Sequence, residues 1–233
     1  MKKPTIYSTS AKNFNVSTVL AMVLFIFLIL SVGYIFKVRS QGHNARFSVS
    51  SSALGSNAHV KGNASSSVRV ILYSDIECPF CNSFYDYSFP KILSEYGGRV
   101  ALIYRHYPIV ALHPNARVEA EATECAYEQK GHDGFWRLLD ALYTAVGDEN
   151  TFNVSDIPQI ATSVKLDPRA LSACMKSGRG DVWVKQNMDT ATIAGVYKTP
   201  TVIVENTLNK KSIVIGGAGF TATKAAIELL LAD

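Results

Sequence analysis

Val68-Arg69-Val70-Ile71-Leu72-Tyr73-Ser74-Asp75-Ile76-Glu77-Cys78-Pro79-Phe80-Cys81 is the stretch that decides the fold. Residues 68–74 are rich in Val, Ile, Leu and Tyr and alternate poorly, as a central strand buried on both faces does. The cysteines then open a segment that reads as helix, with Pro79 in its first turn, where a missing N–H costs nothing. Cys78 therefore sits at a helix N-terminus, where partial positive charge and free backbone N–H groups stabilise a thiolate. The thiolate is the nucleophile of disulfide exchange, so this placement marks a redox centre. The competing chemistry is half of a zinc site, which needs two further Cys or His ligands at suitable spacing. The chain holds no second CxxC and no HxxxH, and no metal is expected.

Working outward, the helix begun at Cys78 is predicted to reach residue 96, with Pro90 kinking or interrupting it. Gly97-Gly98 ends it, and residues 99–106 return as a second apolar strand. Strand, helix, strand is a βαβ unit, which implies parallel pairing and a right-handed crossover. An entirely helical middle follows. Residues 116–129 form one helix stopped at Gly131, and 135–146 another, with Phe135, Leu138, Leu139 and Leu142 at helical spacing. Further helices are predicted near 157–163, 168–177 and 181–194. After a loop at 196–199, residues 201–205 and 212–215 read as strands joined by a polar turn, and 221–230 as a final helix. The helical block interrupts an otherwise continuous α/β sheet.

The N-terminal part has a different composition. No residue from 13 to 36 is charged, and residues 16–36 would span about 31 Å as a helix, enough for a bilayer core. Lys2, Lys3 and Lys12 before it favour a cytoplasmic N-terminus. A cleaved signal peptide is the competing reading. The stretch exceeds a usual h-region and no clean small-x-small site follows it, so an uncleaved anchor is expected. Residues 41–67, rich in Ser, Gly and Asn, read as a tether whose last part, from about residue 58, packs as an entry loop.

Net charge is +4, but residues 1–61 carry seven Lys/Arg and no acid, while the remainder carries sixteen against nineteen, or −3. The basic balance belongs to anchor and tether, so nucleic-acid binding loses its main electrostatic argument. Four cysteines beyond an anchor fit an oxidising compartment. Cys125 and Cys174 could bridge or remain two buried free thiols, and their connectivity is not fixed by spacing.

From about residue 58 to residue 233 this pattern resembles the thioredoxin superfamily, and specifically the DsbA-like thiol–disulfide oxidoreductases. The resemblance rests on Ser74–Cys81 as quoted, Arg105-His106-Tyr107-Pro108, His113-Pro114-Asn115-Ala116 and Thr199-Pro200-Thr201. It implies an α/β thioredoxin-like fold with an inserted helical domain at about 113–195, here preceded by a single transmembrane helix. The organisation expected is a cytoplasmic N-terminus at 1–15, an anchor at 16–36, a flexible tether at 37–57 and the DsbA-like domain at 58–233.

The resemblance also implies roles for residues. Cys78 is the exposed nucleophile and Cys81 the buried resolving partner, with Pro79 and Phe80 between them tuning the potential. Phe80 brings no charge where a His would favour the thiolate, so this centre is expected to be less oxidising than a relative with His there. Thr199-Pro200 corresponds to a cis-Pro loop that turns the Thr199 backbone toward the cysteines, available to a substrate strand. Lys198 stands where many relatives carry glycine and is read as a solvated cation. Cys125 and Cys174 correspond to a second, non-catalytic disulfide, a staple worth about 2–4 kcal/mol. His106 and His113 are framework residues and His132 a surface-loop residue. Asp75 and Glu77 are read as capping the active-site helix and facing solvent. Asn63-Ala64-Ser65 and Asn153-Val154-Ser155 match the glycosylation pattern, a match short enough to arise by chance.

The expected activity is thiol–disulfide exchange by a membrane-anchored enzyme facing the periplasm or an equivalent external space. Its substrates would be unfolded or partly folded exported proteins with thiols, into which it introduces disulfides. By family analogy a membrane partner of the DsbB or VKOR type reoxidises it. No metal or organic cofactor is implied, since both sulfurs belong to the chain. One alternative is a reductase or isomerase with the same site; the chain lacks the dimerisation segment that isomerases typically carry before the redox fold. Another is a non-catalytic tethered peptide-binding module.

Overall fold

The computed structural model describes residues 58–147 and 152–232, with isolated helical positions at 22, 24–29 and 31. The chain divides into two units, Met1–Arg46 and Phe47–Asp233. Among the described residues no helix is long and apolar enough to cross a membrane. The expected N-terminus at 1–15 and tether at 37–57 lie outside the described residues, as does most of the expected anchor at 16–36.

The second unit is built on a five-stranded sheet in the order β1-β3-β2-β4-β5. Its centre is β2 (Val68–Ser74), parallel to β3 (Val100–His106), with Val68 opposite Val100 and Ser74 opposite His106. On the other side β4 (Thr201–Asn206) runs antiparallel to β2, and β5 (Lys211–Gly216) closes that edge. β1 (His59–Gly62) pairs antiparallel with β3 at the opposite edge. This strand replaces the expected entry loop. Four residues including His, Lys and Gly carry no strand signal of their own, and pairing with β3 supplies it.

Alternate residues of the central strands serve different faces, as the pleat requires. Val68, Val70, Leu72, Leu102, Tyr104, Val202 and Val204 join the larger core. Ile71, Tyr73, Ile103 and Ile203 join a smaller one with Ala191, Ala194 and Val196. Burial on both faces explains why the sequence of β2 reads as continuous apolar residues.

The helix after Cys78 is made of three pieces: α1 (Pro79–Ser83), a π turn (Phe84–Ser88) and α2 (Phe89–Tyr96). The sequence predicts a kink at Pro90; the chain instead widens one turn before it. The Phe89 N–H reaches back to the Phe84 carbonyl, so the ring of Pro90 falls in the first turn of α2, where it removes no needed bond.

The helical middle comprises α3 (Ala116–Val146), a 3₁₀ turn (Val154–Asp156), α4 (Ile157–Ser163), α5 (Pro168–Lys176) and α6 (Arg179–Ile193). α3 is two helical arms joined at Lys130 and Gly131, and Gly131 has φ +60°, a conformation glycine adopts without Cβ strain. A disulfide joins Cys125 of α3 to Cys174 of α5, with Cα atoms 5.7 Å apart. Beside it, a Cβ on Gly180 would meet the Glu121 carbonyl oxygen at 2.5 Å and the Cys125 Sγ at 3.0 Å, so α6 docks on α3 through a bare backbone. α7 (Phe220–Ala232) packs on β4 through buried Ile227 and Leu230. The two Asn-x-Ser sites are local turns: the Asn63 and Asn153 side chains accept from the N–H of Ser65 and Ser155, each at 3.0 Å.

Candidate active site

β2 delivers the redox pair to one end of the sheet. Cys78 is the N-cap of α1, with extended backbone (φ −79°, ψ 118°), and its carbonyl accepts from the N–H of Cys81 at 2.9 Å and Asn82 at 3.0 Å. Both thiols are free. Cys81 is fully buried. Cys78, expected to be exposed, has only 5 % of its surface open. Its neighbour Phe80, 75 % exposed, is the residue that faces solvent.

The cover over Cys78 comes from the opposite side of β2. The Thr199–Pro200 peptide is cis, and the Cys78 thiol donates to the Thr199 carbonyl across 3.9 Å. Between the active-site helix and this loop lies an open cleft of about 330 Å³, lined by Phe80, Ser83, Phe84, Pro200 and Ala218 among others. The pair is thus shielded from bulk water, with this cleft opening beside Phe80 and the cis-Pro loop. Lys198 is exposed, with its Nζ 5.8 Å from the Tyr197 ring and its stem lying across Gly216.

The two sulfurs have opposite acidities. Cys78 is lowered to about 6, first by the Cys81 thiol, then by the Cys81 N–H, the Thr199 side chain and the Phe80 N–H, against the opposing effect of burial. Cys81 is pushed well above the ordinary thiol value by burial and by Cys78, with only the Ser74 hydroxyl and the Asp75 N–H acting the other way. Cys78 is thus the more acidic sulfur and Cys81 the one held protonated.

Asp75 and Glu77 are not solvent-facing caps of the active-site helix. Both are buried, and Cys78 receives no side-chain cap. The Asp75 carboxylate accepts from the N–H of Ile109 at 2.7 Å, from Glu77 N–H at 3.0 Å and from His113 Nδ1 at 2.9 Å. Burial raises its pKa, with those donors opposing. Glu77 caps a different helix: its Oε2 accepts from the Asn115 and Ala116 N–H groups at 2.7 and 2.8 Å, at the start of α3. The two acids therefore lock the loop after β3 and the start of the helical insert to the redox motif. His106 is buried and bonds Thr123 Oγ1 through Nε2 at 2.9 Å. His132 lies exposed within α3 rather than in a loop.

Several residues near the site are not distinguished by the sequence. Glu119 is fully buried, neither carboxyl oxygen has a hydrogen-bond partner, and burial beside Glu77 and Asp75 raises it to about 8. Ser74, Tyr104 and Tyr143 form a line of buried hydroxyls, Ser74 Oγ to Tyr143 OH at 2.7 Å and Tyr143 OH to Tyr104 OH at 2.9 Å. Among the described residues no group of three or more His, Cys, Asp or Glu could hold a metal ion.

A CxxC pair at a helix N-terminus, facing a cis-Pro loop across a sheet interrupted by helices, defines the thioredoxin-fold thiol–disulfide oxidoreductases. The family model described as thioredoxin matches residues 55–215, and the chain belongs to that family. DsbA2 of Pseudomonas aeruginosa superposes with a TM-score of 0.64 at 28% identity, over 76% of this chain and 96% of that one. BdbD of Bacillus subtilis, in its oxidised form, shares the fold with a TM-score of 0.66 at 24% identity, over 76% and 94%. A sequence relative is the Na(+)/H(+) antiporter NhaA 3 of Salinispora tropica, 31% identical over 146 residues, which cover 63% of this chain. The chain spans about a fifth of that antiporter's length (21%). The chain carries a DsbA-like thioredoxin fold with a free CxxC pair at its redox position.

Proposed function

We propose that this protein is an oxidase, donating the Cys78–Cys81 disulfide to thiols of unfolded or partly folded exported proteins. Cys78 is the attacked and attacking sulfur and Cys81 resolves. Residues 16–36 anchor the chain with its N-terminus in the cytoplasm and the redox domain in the periplasm or an equivalent space. A membrane redox partner of the DsbB or VKOR type removes the electrons. The observation that carries the exchange chemistry is the place of Cys78 at the N-terminus of α1, where the Cys81 thiol and the neighbouring N–H groups lower its pKa to about 6. A stabilised Cys78 thiolate stabilises the reduced enzyme, which makes its disulfide a better oxidant.

The groove beside Cys78 and the Thr199 backbone support an extended substrate as the partner, since backbone pairing and an apolar channel require no particular side-chain sequence. The reductase reading differs only in potential. Titration of the full chain against glutathione tests the direction: oxidase function requires a value near or above about −150 mV, whereas one near about −250 mV assigns the site to a reductase.

A further inference from the structure

We propose that the buried hydroxyl line Tyr104–Tyr143–Ser74 stabilises the negative charge that develops on Cys81 whenever the Cys78–Cys81 disulfide opens. Ser74 is then the member of the line that acts on the sulfur, and the two tyrosines are positioning residues behind it. The inference rests on the thiol–disulfide reading, in either direction of electron flow.

The need for such a device follows from burial. When a substrate thiolate attacks Cys78 Sγ, a sulfur–sulfur bond forms between substrate and Cys78, the Cys78–Cys81 bond breaks, and its electron pair passes to Cys81 Sγ. Cys81 has no exposed surface, so bulk water does not solvate that charge. Cys81 then takes up one proton. A second substrate thiolate attacks the substrate sulfur of the mixed disulfide and expels Cys78 as a thiolate. Two substrate thiols have become a disulfide, two electrons rest on the enzyme, and the remaining proton leaves to solvent.

The donors available to Cys81 are few. The Asp75 N–H lies 3.5 Å from its Sγ, and the hydroxyl of Ser74, the residue before it, is the other group that favours a charged Cys81. Ser74, Tyr104 and Tyr143 are each fully buried. Each hydroxyl has one proton to donate, so when Ser74 donates to sulfur, Tyr143 can donate to Ser74 and Tyr104 to Tyr143. Bonds aligned in one direction polarise one another. Burial pushes both tyrosines upward in pKa, so they keep their protons and act as donors rather than acids. Three elements build the line: Ser74 ends β2, Tyr104 stands on β3, and Tyr143 projects from the second arm of α3. The helical insert thereby contributes a group to the redox chemistry.

The test uses the full-length oxidised protein and dithiothreitol as the attacking dithiol, with thiolate absorbance reporting the rate of disulfide opening. Ser74→Ala is expected to slow opening about tenfold, the effect of losing one hydrogen bond to a charged group. Ser74→Thr, which keeps the hydroxyl, restores most of the rate. Tyr143→Phe keeps the ring and slows opening roughly threefold, with Tyr104→Phe smaller again. A merely structural role lowers thermal stability in these variants and leaves the rate unmoved. Folded Ser74→Ala or Tyr143→Phe protein opening at the wild-type rate overturns the proposal alone. A wild-type disulfide that dithiothreitol does not open overturns the oxidoreductase reading along with it.

Discussion

The two cysteine pairs of this domain are equally hidden and chemically opposite. Cys78 and Cys81 are 5 % and 0 % exposed; Cys125 and Cys174 are 0 % and 2 %. Burial therefore does not separate a reactive pair from a structural one. The first pair sits at a helix N-terminus, with the Asp75 N–H within reach of Cys81 and an open cleft beside the adjoining Phe80 and Thr199. The second lies within α3 and α5, beside a glycine whose missing side chain lets α6 close over it. Access and polar contacts make the difference: one pair can be approached and its charge stabilised, whereas the other can only tie two helices together.

Exchanging one sulfur in each pair breaks this contrast or sharpens it. Cys78→Ser is expected to lower disulfide exchange with a thiol peptide by about a thousandfold or more, because it removes the nucleophile itself. Its circular dichroism and unfolding midpoint should stay near those of the reduced wild type. The double variant Cys125→Ala/Cys174→Ala should do the reverse, losing about 2–4 kcal/mol in denaturant unfolding while exchanging at a rate within about twofold of wild type. If the second variant lost exchange while the first lost stability, the roles assigned to the pairs would be wrong.

The same contrast explains what the sequence makes legible. β2 and the CPFC turn announce themselves through local signals: a continuous apolar run, then two thiols and a proline at a helix start. The break at Gly131 was equally local. β1 was not, because a short polar strand acquires its identity only from pairing with β3. Pro90 signalled a disruption correctly, but its remedy, a π turn one step earlier, depends on how the surrounding helix packs. Asp75 and Glu77 read as solvent-facing caps because a carboxylate near a helix start usually is one. Their true partners, Ile109, His113 and the start of α3, lie more than thirty residues away. Tyr143 is a further case: it lies unmarked in the helix predicted over 135–146, and only the fold brings its hydroxyl to Ser74. Glu119 carries no sequence signal either, since an acid in the first turn of a helix is ordinarily exposed.

The central claim, that Cys78 is the prepared nucleophile and Cys81 its protonated partner, is tested most directly by alkylating the reduced full chain at increasing pH. Mass spectrometry then locates the label. Below the Cys78 pKa its thiol is protonated and unreactive; above it the thiolate reacts. Label should therefore accumulate on Cys78 with a midpoint near pH 6, with Cys81 unlabelled through neutrality. A midpoint near the ordinary thiol value of 9.0, or equal labelling of both sulfurs, would contradict the account.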